Sequence, residues 1–221
     1  MQQPFALFDF DDTVSRGDSV VPFVRFCANN GYAPRKHAFR AGMKYIGTFF
    51  GKCSVEEAKQ FAHSFLAGKT QEETREIAHE FWQKVLVKRL FPSAVAEMRR
   101  LRDAGCRVLI VSASVSAYMD VLPEYLPADG VISTVCGVDE NGCLTGYLGE
   151  NCRGLQKPPR IAEYLAANHQ LLDYEGSYSF GDSSGDEPML RLTAHPTLVN
   201  PSKKLRAALP HAAVVHWKSE S

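Results

Sequence analysis

The sequence predicts an α/β fold: a parallel sheet flanked by helices, with a helical cap inserted after the first strand. Three observations predict it. Short apolar runs at Phe5-Ala6-Leu7-Phe8, Arg107-Val108-Leu109-Ile110-Val111 and Tyr178-Ser179-Phe180 alternate with segments of helical periodicity, as βαβ units do. Each run ends in a polar cluster, the mark of a strand reaching the carboxyl edge of a sheet, where α/β proteins place their ligands. Between the first run and the second, residues 15–90 carry helix signals only.

Taken in order, Phe5 to Phe8 is short, apolar and rich in Phe, which fits a strand buried on both faces. Asp18 or Ser19 then caps a helix running to about Asn29, with Val20, Val21, Phe23, Val24 and Phe26 as its broad apolar face. Gly31 to Pro34 breaks it, and a second helix covers about Arg35 to Phe50. Ser54-Val55-Glu56-Glu57 and Thr70-Gln71-Glu72-Glu73 have capping-box spacing and open helices to about Leu66 and Lys88. Pro92 starts another helix, striped by Val95, Met98 and Leu101, that Gly105 ends. After the strand Arg107–Val111 and its polar end come a helix over about 116–125 and a strand over 130–134. A hairpin turns at Asn141-Gly142. Helices follow at about 157–167, 187–192 and 202–209. Strands at 178–180 and 197–200 and an edge strand at 213–217 complete the alternation.

Composition narrows the function classes. Lys+Arg and Asp+Glu are equal at 25 each, so no bulk charge recruits nucleic acid, and none is expected as a partner. The six cysteines, Cys27, Cys53, Cys106, Cys136, Cys143 and Cys152, lack CxxC spacing and read as reduced structural thiols. No signal-peptide pattern opens the chain, and a cytoplasmic location is expected. No run approaches the length of a membrane span, so no stable membrane insertion is expected. Met43 to Gly51 is apolar but short. It reads as a helix packed on its neighbours, or as a surface that touches lipid or an apolar substrate.

The chemistry lies at the strand ends. Asp9 and Asp11 are two residues apart at the end of a strand, so their carboxylates face one small space. Like charges that close call for a cation, and a set of oxygen donors suits Mg²⁺. Ser112 ends the second strand, Asp182 and Asp186 follow the strand at 178–180, and Lys157 opens the helix before it. Together these supply the charge neutralisation, oxygen donors and nucleophile that phosphoryl transfer needs.

With Asp9-Phe10-Asp11-Asp12-Thr13, Ser112, Lys157 and Gly181-Asp182-Ser183-Ser184-Gly185-Asp186 in that order, the chain resembles the haloacid dehalogenase superfamily. Within it, the closing Gly-Asp-Ser-Ser-Gly-Asp-Glu-Pro-Met-Leu resembles the phosphoserine phosphatase branch, subfamily IB. The resemblance implies a Rossmann-like core from residues 1–14 and 91–221 and a helical cap of the C1 type from residues 15–90. It implies Mg²⁺-dependent hydrolysis of a small phosphorylated metabolite through a covalent aspartyl-phosphate. Asp9 is then the nucleophile, and Asp11 the acid that protonates the leaving oxygen and later the base that activates water. The metal ligands are the carboxylates of Asp9 and Asp182 and the backbone carbonyl of Asp11, with Asp186 supporting the site. Ser112 and Lys157 bind the phosphoryl oxygens.

Substrate choice stays open at this level. By position, Asp18 matches the acid that contacts the amino group in phosphoserine phosphatase, and it equally fits a plain helix N-cap. Two departures separate the chain from that enzyme. Ser112-Ala113-Ser114 stands where Ser-Gly-Gly is usual, and the cap segment whose arginine grips the substrate carboxylate is not recognisable among Arg35, Arg40, Lys44 and Lys52. Histidinol phosphate, phosphatidylglycerophosphate and transfer to an acceptor other than water are the alternatives.

Overall fold

The structure, a computed structural model, describes residues 2–218. The last three residues of the expected core, 219–221, lie outside the described residues.

The elements are β1 (Gln2–Gln3), β2 (Phe5–Phe8), α1 (Val20–Asn29), α2 (Arg35–Phe49), α3 (Val55–His63), α4 (Gln71–Phe81), α5 (Pro92–Asp103), β3 (Arg107–Val115), α6 (Ser116–Met119), β4 (Gly130–Thr134), β5 (Cys136–Val138) and β6 (Leu144–Leu148), followed by α7 (Lys157–Ala167), β7 (Leu171–Leu172), β8 (Tyr178–Gly181), α8 (Glu187–Leu190), β9 (His195–Val199), α9 (Lys203–Ala208) and β10 (Ala213–Val215). Six strands form one parallel sheet in the order β10-β9-β8-β2-β3-β4. β2 is first in sequence among the six yet central in space, with β3 and β4 on one side and β8, β9 and β10 on the other. The strand order therefore reverses at β2, and the crevice beyond its carboxyl end is where an α/β sheet takes a ligand. All four β2 side chains are buried because helices cover both faces.

Both expected capping boxes are present. Ser54 and Glu57 exchange side-chain and backbone bonds at the start of α3, and Thr70 and Glu73 do so at α4. Past Phe81 the helix loosens into a π turn over Trp82–Leu86 and a 3₁₀ turn over Val87–Arg89. The helical segment leaves and re-enters the sheet side by side: Arg16 N–H donates to Arg89 O at 2.8 Å and Phe91 N–H to Val14 O at 2.9 Å. The hairpin β5–β6 reaches this segment from the sheet, with Leu144 N–H donating to Lys69 O and Gly68 N–H to Leu144 O.

The run Met43 to Phe50 answers to both of its readings: α2 packs on α1 and α3 through Ala38 and Ala41, and the large apolar residues of the run stay outside that contact. α2 turns small residues inward, Ala41 and Gly47, and leaves Phe39 at 72%, Phe49 at 82% and Phe50 at 74% exposure, with Met43 and Ile46 also exposed. Small inward residues allow close helix packing, so the bulk at the other positions faces out. The helix expected over 116–125 is shorter, because Pro123 sits in a separate 3₁₀ turn over Leu122–Glu124.

Candidate active site

Three strand ends and one helix start meet at the centre of the sheet edge. β2 delivers Asp9 and Asp11, β3 delivers Ser112, β8 leads into Asp182 and Asp186, and the first residue of α7 is Lys157. One ligand atom each from Asp9, Asp182 and Asp186 lie within 4.8 Å of one another. Lys157 is 1% exposed, and its Nζ donates to Asp9 Oδ1 at 2.7 Å, Asp186 Oδ1 at 2.6 Å and Val111 O at 2.8 Å.

Local irregularities make these contacts. Between Val111 and Val115 the pairing of β3 with β4 shifts register, so the stretch holding Ser112, Ala113 and Ser114 leaves the regular ladder. Val111 O is thereby open to Lys157, and Ala113 O to Lys59. A Cβ on Gly181 would meet Asp186 Cβ at 2.5 Å, so only glycine lets the Asp186 loop close over the end of β8. Ser183 fixes that loop, its N–H and hydroxyl donating to Asp186 Oδ2 at 3.0 and 2.9 Å.

Electrostatics separates the acids. Burial, with Asp186 next in weight, pushes Asp9 up to about 7, against the pull of Lys157. Burial and the charges of Asp9 and Asp186 push Asp182 up to about 8. For Asp186 burial acts upward too, but Lys157 and the Ser183 donors outweigh it and hold the carboxyl below its ordinary range. Lys157 is raised despite its burial because it faces Asp186 and Asp9. One lysine thus stands against three converging carboxylates, and the surplus negative charge in a set of oxygen donors fits a hard metal ion. The triad could hold one.

Asp11 stands apart from the triad. Its Oδ2 accepts from Ser114 Oγ at 2.8 Å, and Ser114 lies 2.8 Å from Ser19, which in turn lies 2.9 Å from the Tyr118 hydroxyl. Its Oδ1 is buried without a hydrogen-bond partner among the described residues. Burial, then Asp18 and Asp9, push this carboxyl up to about 7. A carboxyl with one oxygen anchored and the other free suits proton transfer near neutral pH.

The acids line a cavity of about 240 Å³, which Ser112 and Lys157 share. Asp18 is not the N-cap of α1, which is Ser19; its Oδ1 accepts from Val21 N–H at 3.0 Å in the first turn, and it lines the cavity. All six sequence-expected residues, Asp9, Asp11, Ser112, Lys157, Asp182 and Asp186, come together. Sequence reasoning missed Lys59, Asn151 and Arg153 on the same wall, which also holds Tyr45 from the run read as a surface for an apolar substrate. Lys59 reaches in from α3, donating to Ala113 O, to Thr134 Oγ1 at 3.0 Å and to Asn151 Oδ1 at 2.7 Å. Burial pulls it down to about 8. In the sequence it follows Glu56 and Glu57 in a capped helix, away from every strand end, while the cations weighed there (Arg35, Arg40, Lys44 and Lys52) all stand exposed.

Fold and site together define an α/β protein with an acid-rich crevice at the sheet's switch point. The chain matches the haloacid dehalogenase-like hydrolase family over residues 6–191 and belongs to that family. Among its relatives is a histidinol-phosphatase of Neisseria meningitidis serogroup C, 24% identical over 203 residues, spanning 90% of this chain and 91% of the relative. A Bordetella pertussis protein of unknown function superposes with a TM-score of 0.86 at 26% identity, covering 97% of this chain and 99% of the other. A phosphoserine phosphatase captured as a phospho-aspartyl intermediate analogue shares the fold, with a TM-score of 0.66 at 17% identity over 100% of this chain and 96% of the other. Among the described residues no helix is long and apolar enough to cross a membrane.

Proposed function

We propose that the chain is a Mg²⁺-dependent phosphatase that hydrolyses a small phosphomonoester through an aspartyl-phosphate. One observation above all supports this reading: Lys157, buried, bonds Asp9 and Asp186 while Asp182 converges on the same point. Asp9, Asp182 and Asp186 would hold Mg²⁺, with the backbone carbonyl of Asp11. When bound, the ion supplies positive charge against the phosphoryl oxygens and favours the ionised form of Asp9.

The residues then divide the work. An Asp9 oxygen attacks phosphorus, the bond to the leaving oxygen breaks, and Asp11 delivers its proton to that oxygen. Asp11 is raised to about 7, so it carries that proton over the acidic side of neutrality. In the second half Asp11 takes a proton from water as it attacks the phosphoryl group, which leaves as inorganic phosphate and restores Asp9. Lys157 and Ser112 hold phosphoryl oxygens through both halves. Residues 15–90 act as a cap over the core formed by 1–14 and 91–221, with Asp18, Tyr45 and Lys59 brought to the cavity from the cap side.

For the substrate, Asp18 in the cavity wall favours a leaving group that carries a cation, as L-phosphoserine and histidinol phosphate both do. A second reading rests on an apolar cleft of about 380 Å³ between α1 and α2, which shares Val20 and Tyr45 with the acid cavity. That cleft favours an apolar leaving group, with phosphatidylglycerophosphate as an example.

Phosphate release from a generic aryl phosphate tests the chemistry. Turnover should disappear with EDTA and return with Mg²⁺; undiminished turnover by Asp9→Asn protein overturns the nucleophile assignment. A panel of L-phosphoserine, histidinol phosphate and phosphatidylglycerophosphate decides between the substrates, and product analysis with an added acceptor alcohol separates hydrolysis from transfer.

A further inference from the structure

The outer face of α2 inverts the usual surface pattern. Phe39, Met43, Ile46 and Phe50 lie at i, i+4, i+7 and i+11, a single helical stripe, and Phe49 flanks it; all five are exposed. Contiguous apolar exposure on this scale marks an interaction surface. The cations Lys36, Arg40 and Lys44 run beside the stripe at four-residue spacing, and Arg35 and Lys52 stand at its ends, all exposed. From residue 19 to residue 55 the chain carries no Asp or Glu, although cations and acids balance over the whole sequence. Two acids from outside this stretch come near it: Asp18 accepts from the Tyr45 hydroxyl at 3.5 Å on the inner side of α2, and Glu57 is held by the Ser54 cap.

We infer that α2 docks the protein on an anionic lipid bilayer, lying in the interface with its Phe, Met and Ile side chains in the acyl boundary and its cations among the headgroups. Apolar and cationic groups on one helix face, with no carboxylate between them, are what such a surface recognises. A second copy fits the same face poorly, because a two-fold contact sets these cations against themselves. Spanning is excluded for this helix by its 15 residues, too few to cross the hydrocarbon. On its inner side α2 carries Tyr45, which lines both the acid cavity and the apolar cleft, so docking holds the cap of the site at the bilayer.

The inference does not depend on turnover, and binding alone tests it. Purified protein is sedimented with vesicles of phosphatidylcholine alone or of phosphatidylcholine with phosphatidylglycerol, at low and at high salt. The wild type should sediment with the anionic vesicles at low salt and much less at high salt. Two variants locate the contact: Phe39→Ser with Ile46→Ser and Phe49→Ser, and Lys36→Glu with Arg40→Glu. Each should lose roughly tenfold or more of the vesicle affinity. Every altered side chain is exposed, and an unchanged thermal transition checks that the variants are folded. Wild-type protein that stays in the supernatant overturns the inference, as does binding that neither variant weakens. Light scattering that finds a dimer broken by the Phe/Ile variant overturns it too, and assigns the face to a second copy.

Discussion

The carboxyl edge of the sheet and the outer face of α2 break the same rule in opposite directions. At the sheet edge, Asp9, Asp186 and Lys157 are buried; on α2, Phe39, Phe49 and Phe50 are bare to solvent. Neither placement helps the fold by itself. Buried like charges raise one another's energy, and an exposed phenyl ring forfeits the burial that would stabilise it. The difference lies in how each is compensated. The edge satisfies most of its own demand through Lys157, Ser183 and Ser114, which marks a site pre-formed around its reaction. The helix face satisfies none of its own, which marks a surface waiting for something outside the chain.

Breaking the edge should cost most. Asp9→Asn should lower turnover of an aryl phosphate by roughly 10³-fold or more, because the attacking atom itself is lost. Lys157→Met should leave two buried carboxylates facing each other, and by the usual cost of orphaning a buried charge the metal-free protein should lose about 3–5 kcal/mol. Thermal unfolding at pH 8 with chelator should show this as a fall of about 10 °C. Mg²⁺ should recover part of it.

The raised carboxyls give a pH test of the same compensation. Asp9 and Asp11 stand at about 7 and Asp182 at about 8, from an ordinary 3.8. Through that window the folded metal-free chain holds protons that the unfolded chain has released. The contribution of these groups to stability is therefore full below about pH 4 and lost as pH rises through about 7 to 8. Melting temperature in chelator should fall across that range, and the increase produced by Mg²⁺ should be larger at pH 8 than at pH 5.5. An increase that does not grow with pH would separate the metal from these three acids.

A smaller effect probes the proton-transfer arm. Ser114→Ala removes the hydroxyl that donates to Asp11 Oδ2, and this bond pulls the Asp11 carboxyl down. Its loss should move the corresponding limb of the pH–rate profile upward by a fraction of a unit, with kcat falling more than KM rises. A profile that does not move would leave Ser114 as packing only.

How much of this was legible depended on whether a residue's role was local. Ser54 and Thr70 each meet their Glu three residues on, so both caps could be read directly and both formed. Asp9, Lys157 and Asp182 could be read because each adjoins a strand end or a helix start that parallel pairing brings to one edge, and Ser112 because it follows the apolar run of β3, although that strand continues to Val115. Lys59 could not, since its partners Ala113, Thr134 and Asn151 lie 54, 75 and 92 residues away and only the tertiary packing of α3 brings them near. The α2 face left two readings open for a related reason. Apolar spacing fixes which residues share a face but says nothing about whether another element arrives to cover it.

That face supplies the smallest and sharpest test. Phe10 and Phe49 are the same residue type in opposite surroundings, one 0% exposed in the main core and the other 82% exposed on α2. Phe10→Ala should cost about 3–5 kcal/mol of stability, the usual range for emptying a packed aromatic site. Phe49→Ser should stay within about 0.5 kcal/mol, since it removes a side chain that is 82% exposed. Urea unfolding of both variants measures the contrast. If Phe49→Ser costs as much as a core substitution, something in the folded protein already covers α2, and the face is not free for a bilayer. If it costs nothing in solution yet lowers the stability gained from anionic vesicles, its contacts form only at the bilayer surface, and the apolar stripe belongs to binding and not to the fold.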